Sequence, residues 1–281
     1  VTPPVTRIRP PGGWRPLALG ELWRYRELLV LLAARDVRVR YKQTALGVAW
    51  AVIQPLFTMV VFTVFFGRLG GMEERTGGVP YPLFVLAGLL PWQLFSYALT
   101  QASNSLVAEQ RLITKVYFPR LVVPLAAVLS GVADFLVAFA LVLLGVGGYA
   151  LAGHPPAVGW GLLAVPGLVL FAVLAALAVG LWLAALNVQY RDVRYTVPFL
   201  TQIWLFVTPI AYPSGLVPPH LRWAYGLNPM AGVVDGFRWA LVGGPAPDAG
   251  LMLASGAVVA VLLAGGLLYF RRLESTFADV V

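Results

Sequence analysis

The 281 residues contain no cysteine, which excludes disulfides, thiolate metal sites and cysteine nucleophiles. Histidine is almost missing as well. His154 and His220 stand far apart beside prolines, so neither a histidine metal cluster nor any other metal site is expected. Lysine occurs only as Lys42 and Lys115, neither of them after a glycine. The phosphate-cradling Gly-x-x-x-x-Gly-Lys-Ser/Thr stretch is absent, so this chain cannot hold ATP by that route. Charge is scarce throughout, at 11% of residues, where soluble domains carry roughly 25%. A fold this poor in charge cannot cover its surface with polar groups in water, and in lipid it has no need to.

What is present is apolar: 59% of the residues, with a mean hydropathy of +0.81. A helix needs about 20 mostly apolar residues to cross the hydrocarbon core. Six segments qualify as expected spans: residues 45–66, 79–107 (interrupted by Pro91), 121–150 (with one acid, Asp134), 157–186, 196–212 (short and proline-bounded) and 249–270. Helices are expected because each backbone donor must then be satisfied within its own segment. Residues 213–244 are apolar in parts but broken by Pro, Gly, Asn228, Asp235 and Arg238. They fit either one or two half-helices dipping into the outer leaflet or a plain external loop.

The basic residues give the orientation. Nine precede the first span, three lie after the second, two after the fourth and two after the sixth, against only four on the opposite side. Both termini are therefore expected in the cytoplasm, and an even number of spans, which puts both on one side, agrees. This topology accounts for the pI near 10.0, and no nucleic-acid partner is needed to explain it. Residues 1–20 are rich in Pro and Arg and lack the apolar core of a secretory signal peptide, so targeting is expected to use the spans themselves.

Residues 21–40 have an apolar core of seven residues, too short to cross. Arg24, Arg35 and Arg38 fall near one helical face, and Trp23 and Tyr25 suit the headgroup layer. An amphipathic helix lying in the cytoplasmic interface near anionic lipid is expected here.

Catalytic groups are not evident. Asp134 is the one clear in-span acid and has no obvious in-span basic partner, which makes a weak proton relay. Glu73, Glu74, Asp235 and Asp248 are scattered among loops, without the convergence that acid–base chemistry needs. Aromatics are plentiful, with nine Trp, eleven Tyr and fifteen Phe. Trp50 and Phe57 share a face of the first span, and Trp92, Phe95 and Tyr97 cluster in the second. They suit lipid-facing belts and core packing, or a channel of rings in which sugar C–H faces stack while Gln54, Gln93 and Gln101 bond hydroxyls. Residues 108–120 (AEQRLITKVYFPR) and 187–195 (NVQYRDVRY) mix charge with aromatics, as surfaces that dock on a partner do.

Six stretches in order carry a resemblance over nearly the whole chain: RDVRVRYKQTALGVAWAVIQP, PYPLFVLAGLLPWQLF, NSLVAEQRLITKVYFPRLVVPLA, NVQYRDVRY, LNPMAGVVDGFRWAL and FRRLESTFADVV. The sequence resembles the type-2 ABC exporter permeases, in the branch that exports O-antigen and related surface polysaccharides. The resemblance implies two copies of the permease paired with two cytoplasmic ATPase subunits that carry the ATP and magnesium, this chain holding no cofactor. The cargo would be a lipid-linked glycan.

By position, the resemblance implies the following organisation. Residues 1–20 are a Pro-rich cytoplasmic extension that departs from the family pattern, while 21–44 form the interface helix, with Trp23, Arg24, Arg35 and Arg38, 45–272 the six-span permease domain, and 273–281 a cytoplasmic tail. Glu109, Arg111, Lys115 and Tyr117, with Tyr190, Arg191, Asp192 and Arg194, would couple to the ATPase. Residues 216–242, including Asn228, Pro229, Asp235 and Arg238, would form short re-entrant gate helices between spans five and six. Trp50, Gln54, Phe57, Trp92, Gln93, Phe95 and Gln101 would line the channel. Teichoic acid, capsular polymer or a small drug as cargo, a membrane enzyme acting on a lipid-linked sugar, and a gradient-driven carrier are the alternatives.

Overall fold

The computed structural model describes residues 19–42, 47, 49–153, 159–274 and 277, and within them every regular element is a helix. Most of the N-terminal extension and of the tail lies outside the described residues, as do His154 and the residues 43–46 before the first span. In chain order the helices are α1 (Leu19–Arg24), α2 (Arg26–Lys42), α3 (Ala49–Phe62, continued as a π-helix over Thr63–Leu69), α4 (Tyr81–Ala108), α5 (Gln110–Lys115), α6 (Val122–Leu151), α7 (Val165–Gln189, entered through a 3-10 turn, Trp160–Ala164), α8 (Val193–Val207), α9 (Arg222–Gly226), α10 (Pro229–Val242) and α11 (Ala249–Leu273). Five are long and apolar enough to cross a membrane: α3 with its π-helical extension, α4, α6, α7 with its entry turn, and α11.

α4 is the axis of the molecule, buried along most of its length. Pro80 and Pro82 start it, where a missing N–H leaves no gap in the ladder. Pro91, expected to interrupt the span, does not break it. Close packing on both flanks holds the helix through the lost hydrogen bond. α7 lies against α4 through small residues, with Ala175, Ala176, Ala178, Gly180, Ala184 and Ala185 all buried. A Cβ on Gly180 would stand 2.8 Å from that of Ala102. Small residues let the backbones approach, which replaces the hydrophobic drive that lipid does not supply. α6 covers another side, where Gly131 makes room for the Tyr97 ring. α11 packs on α7 around Trp182, whose Nε1 donates to the Leu262 carbonyl at 2.9 Å and whose ring stacks on Tyr269 at 5.0 Å. α3 is peripheral and largely exposed.

The expected fifth span departs from a plain helix. α8 has 15 residues, roughly 22 Å at helical rise, short of the hydrocarbon core. Residues 208–211 are non-helical and buried. Together α8 and these residues run beside α4: Pro198 and Thr201 near Tyr97, Trp204 against Trp92 and Phe95, and the Ala211 carbonyl at the Tyr81 hydroxyl. The chain then passes through two 3-10 turns into α9 and, after Leu227 and Asn228, into α10.

The expected interface helix is also subdivided. Tyr25 separates α1 from α2, so Arg24 sits on a different helix from Arg35 and Arg38. α2 packs along α6 and buries Leu32 in a small core with Ile113, Phe118, Phe270 and Phe277.

Candidate membrane groove

Between α3, α4, α6 and α8 lies a groove of about 290 Å³. Its polar wall comes from one face of α4. Gln93, Ser96, Tyr97, Thr100 and Gln101 follow the 3–4 spacing of a helical stripe and all line it. Gln54 of α3, Asp134 of α6 and Thr201 of α8 face them, and Leu90, Leu94, Phe135, Ala138 and Pro198 supply apolar surface. A second hollow of about 160 Å³ continues from Gln101 towards α2 and the end of α4, past Asn104, Arg35, Asp36 and Glu109.

Asp134 is not alone, as its sequence context suggested. Arg40 of α2 forms an ion pair with it and Tyr41 donates to it. Arg40 also donates to Ser130 Oγ at 3.2 Å and lies 4.3 Å over the Tyr97 ring. The distance along the chain hides this pair: Arg40 is 94 residues away. Asp134 lines the same groove as Ala51 and Gln54 in the first turns of α3. Burial, reinforced by the bond to Asp134, pushes the Tyr41 hydroxyl up to about 12.

The seven expected channel residues divide into three groups. Gln54, Gln93 and Gln101 line the groove. Trp50 and Phe57 are 53% and 69% exposed on α3, outside the groove lining. Trp92 and Phe95 are buried within the chain, packed edge-on against Trp204 at 6.5 and 5.0 Å between ring centres. Packing is the role that burial supports for these two, because neither ring reaches a surface from this position. Ser96, Thr100 and Thr201 were absent from the expected set. The stripe at positions 93, 96, 97, 100, 101 and 104 is the sequence signal that finds the α4 members.

The expected gate residues are drawn inward. Asn228 caps α10 by accepting from Met230 N–H at 3.1 Å. Its side chain also accepts from Trp204 Nε1 at 3.0 Å and donates to Thr208 Oγ1 at 3.1 Å. Pro229 begins α10 and is buried. Arg238 is 4% exposed and pairs with Asp235 at 3.6 Å.

Residues 27–242, which run from α2 to α10 and include four of the five membrane-length helices, match the family model of the ABC-2 type transporter. The chain belongs to the ABC-2 type transporter family. It is a multi-pass membrane protein. It is 30% identical to the O-antigen export system permease protein RfbA of Myxococcus xanthus over 263 residues, 93% of this chain and 98% of that one. It is 28% identical to the RfbA protein of Klebsiella pneumoniae, over 91% of this chain and 95% of the relative. With the polysialic acid transport protein KpsM of Escherichia coli the identity is 24%, over 76% of this chain and 80% of that one.

In this ABC-2 chain the residues expected to couple to an ATPase lie at the basic end of the bundle. Arg111, Lys115 and Tyr117 are exposed on and after α5, while Ile113 and Phe118 anchor that segment in the small core beneath. Tyr190, Arg191 and Asp192 are exposed between α7 and α8, and Arg194 is exposed in the first turn of α8. Asn187, just before them, donates to the Ser103 carbonyl at 2.9 Å and to Asn104 Oδ1 at 3.0 Å, tying this loop to the end of α4. Glu109 faces inward to Arg35, with one contact at 3.2 Å and a second, shorter one. The Glu109 hydrogen bond raises the Arg35 pKa above its ordinary value. Trp23, Arg24 and Arg38 are exposed on α1 and α2.

Proposed function

We propose that this chain is the permease subunit of an ATP-driven exporter that moves a lipid-linked, O-antigen-like surface polysaccharide outward across the inner membrane. The observation that carries this is the amide- and hydroxyl-lined groove set in an otherwise apolar bundle. Such a wall offers many weak, interchangeable hydrogen bonds to sugar hydroxyls beside apolar patches, and so binds a polymer without halting it. The named roles of the RfbA relatives support the cargo class, and their coverage of nearly the whole chain favours it over the polysialic acid named for KpsM.

In this proposal the chain crosses six times, the fifth crossing being α8 completed by residues 208–212, and both termini are cytoplasmic. A second copy completes the channel. Trp50 and Phe57, exposed on α3, stack on the glycan near Gln54, Gln93 and Gln101. A separate cytoplasmic ATPase subunit binds ATP and magnesium and pushes on Arg111, Lys115, Tyr117, Tyr190, Arg191, Asp192 and Arg194. Trp23, Arg24, Arg35 and Arg38 hold the interface helices against anionic lipid. Asn228, Pro229, Asp235 and Arg238 belong to the outward end of the path. This chain contributes no catalytic residue and no cofactor.

The test is reconstitution with the ATPase in proteoliposomes. Glycan should stimulate ATP hydrolysis, and replacing Gln54, Gln93 and Gln101 together by Leu should cut glycan export at least about tenfold, the effect of losing a hydrogen bond or two, with basal hydrolysis retained. Full export by the triple variant would remove the groove from the path. Charge reversal at Arg111, Lys115, Arg191 and Arg194 should uncouple hydrolysis from export; unchanged coupling would exclude those loops as couplers.

A further inference from the structure

Residues 208–211 are non-helical, yet Thr208 and Ile210 are 0% exposed. Unwound backbone at membrane depth needs partners from within the protein. Two side chains supply them. Arg238 Nη2 donates to the Ile210 carbonyl at 2.8 Å, and the Tyr81 hydroxyl donates to the Ala211 carbonyl at 2.7 Å. Arg238 also donates through Nε to the Phe84 carbonyl at 3.2 Å and lies 3.5 Å over the Phe84 ring. Gly88 leaves the room for this, since a Cβ there would stand 3.0 Å from Arg238 Nη2. The planar fork of one guanidinium thereby joins three segments: α4, the unwound stretch and α10. α10 is further interlocked with the start of α7, where a Cβ on Gly236 would lie 2.8 Å from Leu168 Cδ2.

The preceding stretch is built differently. Residues 213–225 contain Pro213, Pro218 and Pro219 in short 3-10 turns, and Leu216, Leu221 and Trp223 are exposed.

We propose that Arg238 is a positioning residue that binds α10, the unwound residues 208–211 and the adjoining part of α4 into one rigid block. α10 then keeps its place through the transport cycle, and opening of the outward end falls to residues 213–225. The inference rests on the export function proposed above, but its first test does not.

The absence of cysteine permits labelling without background. Ile210→Cys in membrane vesicles should resist a membrane-impermeant maleimide. Adding Arg238→Gln should raise its labelling rate about tenfold, the factor expected from losing one hydrogen bond to a charged group. Arg238→Lys should fall between, because an ammonium lacks the fork that reaches two carbonyls. Equal labelling in all three overturns the proposal. Should Arg238→Gln fail to accumulate, Arg238→Lys against the parent makes the same comparison.

The second test pairs Leu168→Cys with Gly236→Cys, since a Cβ on Gly236 would lie 3.5 Å from Leu168 Cγ. Oxidation should leave glycan export by the reconstituted complex unchanged. Export in the reduced form that stops on oxidation would mean that α10 moves, and would overturn the block. If the parent protein exports no glycan, the export function fails, while the labelling result still decides the role of Arg238; labelling also decides alone if the reduced pair is inactive.

Discussion

Asp134 shows how a costly residue is made tolerable within a membrane-length helix. Its carboxylate receives Arg40 and Tyr41, and Arg40 in turn reaches Ser130 and the Tyr97 ring. Asp134→Asn keeps the shape but leaves the guanidinium without its charge partner, and should cost about 1–3 kcal/mol. The measurement is the unfolding midpoint in detergent, and Arg40→Gln combined with Asp134→Asn should lose less than the two single changes added. Export should survive Asp134→Asn, as a structural pair requires; loss of export at unchanged stability would make Asp134 a transport residue. Tyr41 adds a pH dependence of known sign. Its folded value of about 12 lies above the unfolded value of about 10, so its contribution is complete below pH 10 and disappears as pH rises to 12. The midpoint of Tyr41→Phe should therefore change less than that of the parent between pH 10 and 12.

Among the elements, the α4–α7 pair is the most tightly specified contact. Gly180 meets Ala102, and Asn187 bonds to Ser103 and Asn104 lower down the same pair. Gly180→Val forces the helices apart and should destabilise by about 1–3 kcal/mol, as overpacking does. Ala102→Gly in the same chain should restore part of the loss, measured by the same thermal midpoint; no rescue would place the strain elsewhere. α11 illustrates a local rule at work. Asp248, one of the scattered external acids, caps it by accepting from Gly250 and Leu251 N–H at 2.7 and 3.1 Å, so this carboxylate has a structural task.

Across the whole molecule, charge is sorted by end. α2, α5, the Arg191–Arg194 loop and the last turn of α11 carry the basic residues, and the opposite loops carry few. With no native cysteine, single cysteines at Tyr117 and Tyr190 should react with an impermeant maleimide only from the cytoplasmic side, and those at Glu74 and Trp223 only from outside. Labelling of Tyr117→Cys and Trp223→Cys from one side would refute six crossings. ATP hydrolysis should appear only when the ATPase subunit is added; turnover by this chain alone would contradict a separate energy supply.

Composition, the long apolar runs and the bias of Arg and Lys determined that this chain is helical and membrane-embedded, and four of the expected spans lie within a few residues of α4, α6, α7 and α11. Those properties follow from local hydropathy and helical backbone bonding, which act within one segment. Of the polar stripe on α4 only Gln93 and Gln101 were expected, although its spacing repeats along a single helix. Tertiary structure decided the rest. It put Trp92 and Phe95 inside, because burial depends on what packs opposite, and the partner Trp204 lies more than a hundred residues away. It brought Arg40 to Asp134, and Arg238 to the carbonyl of Ile210, because an unpaired charge or an unwound backbone can be satisfied by a group from any segment, and only the folded chain determines which one arrives.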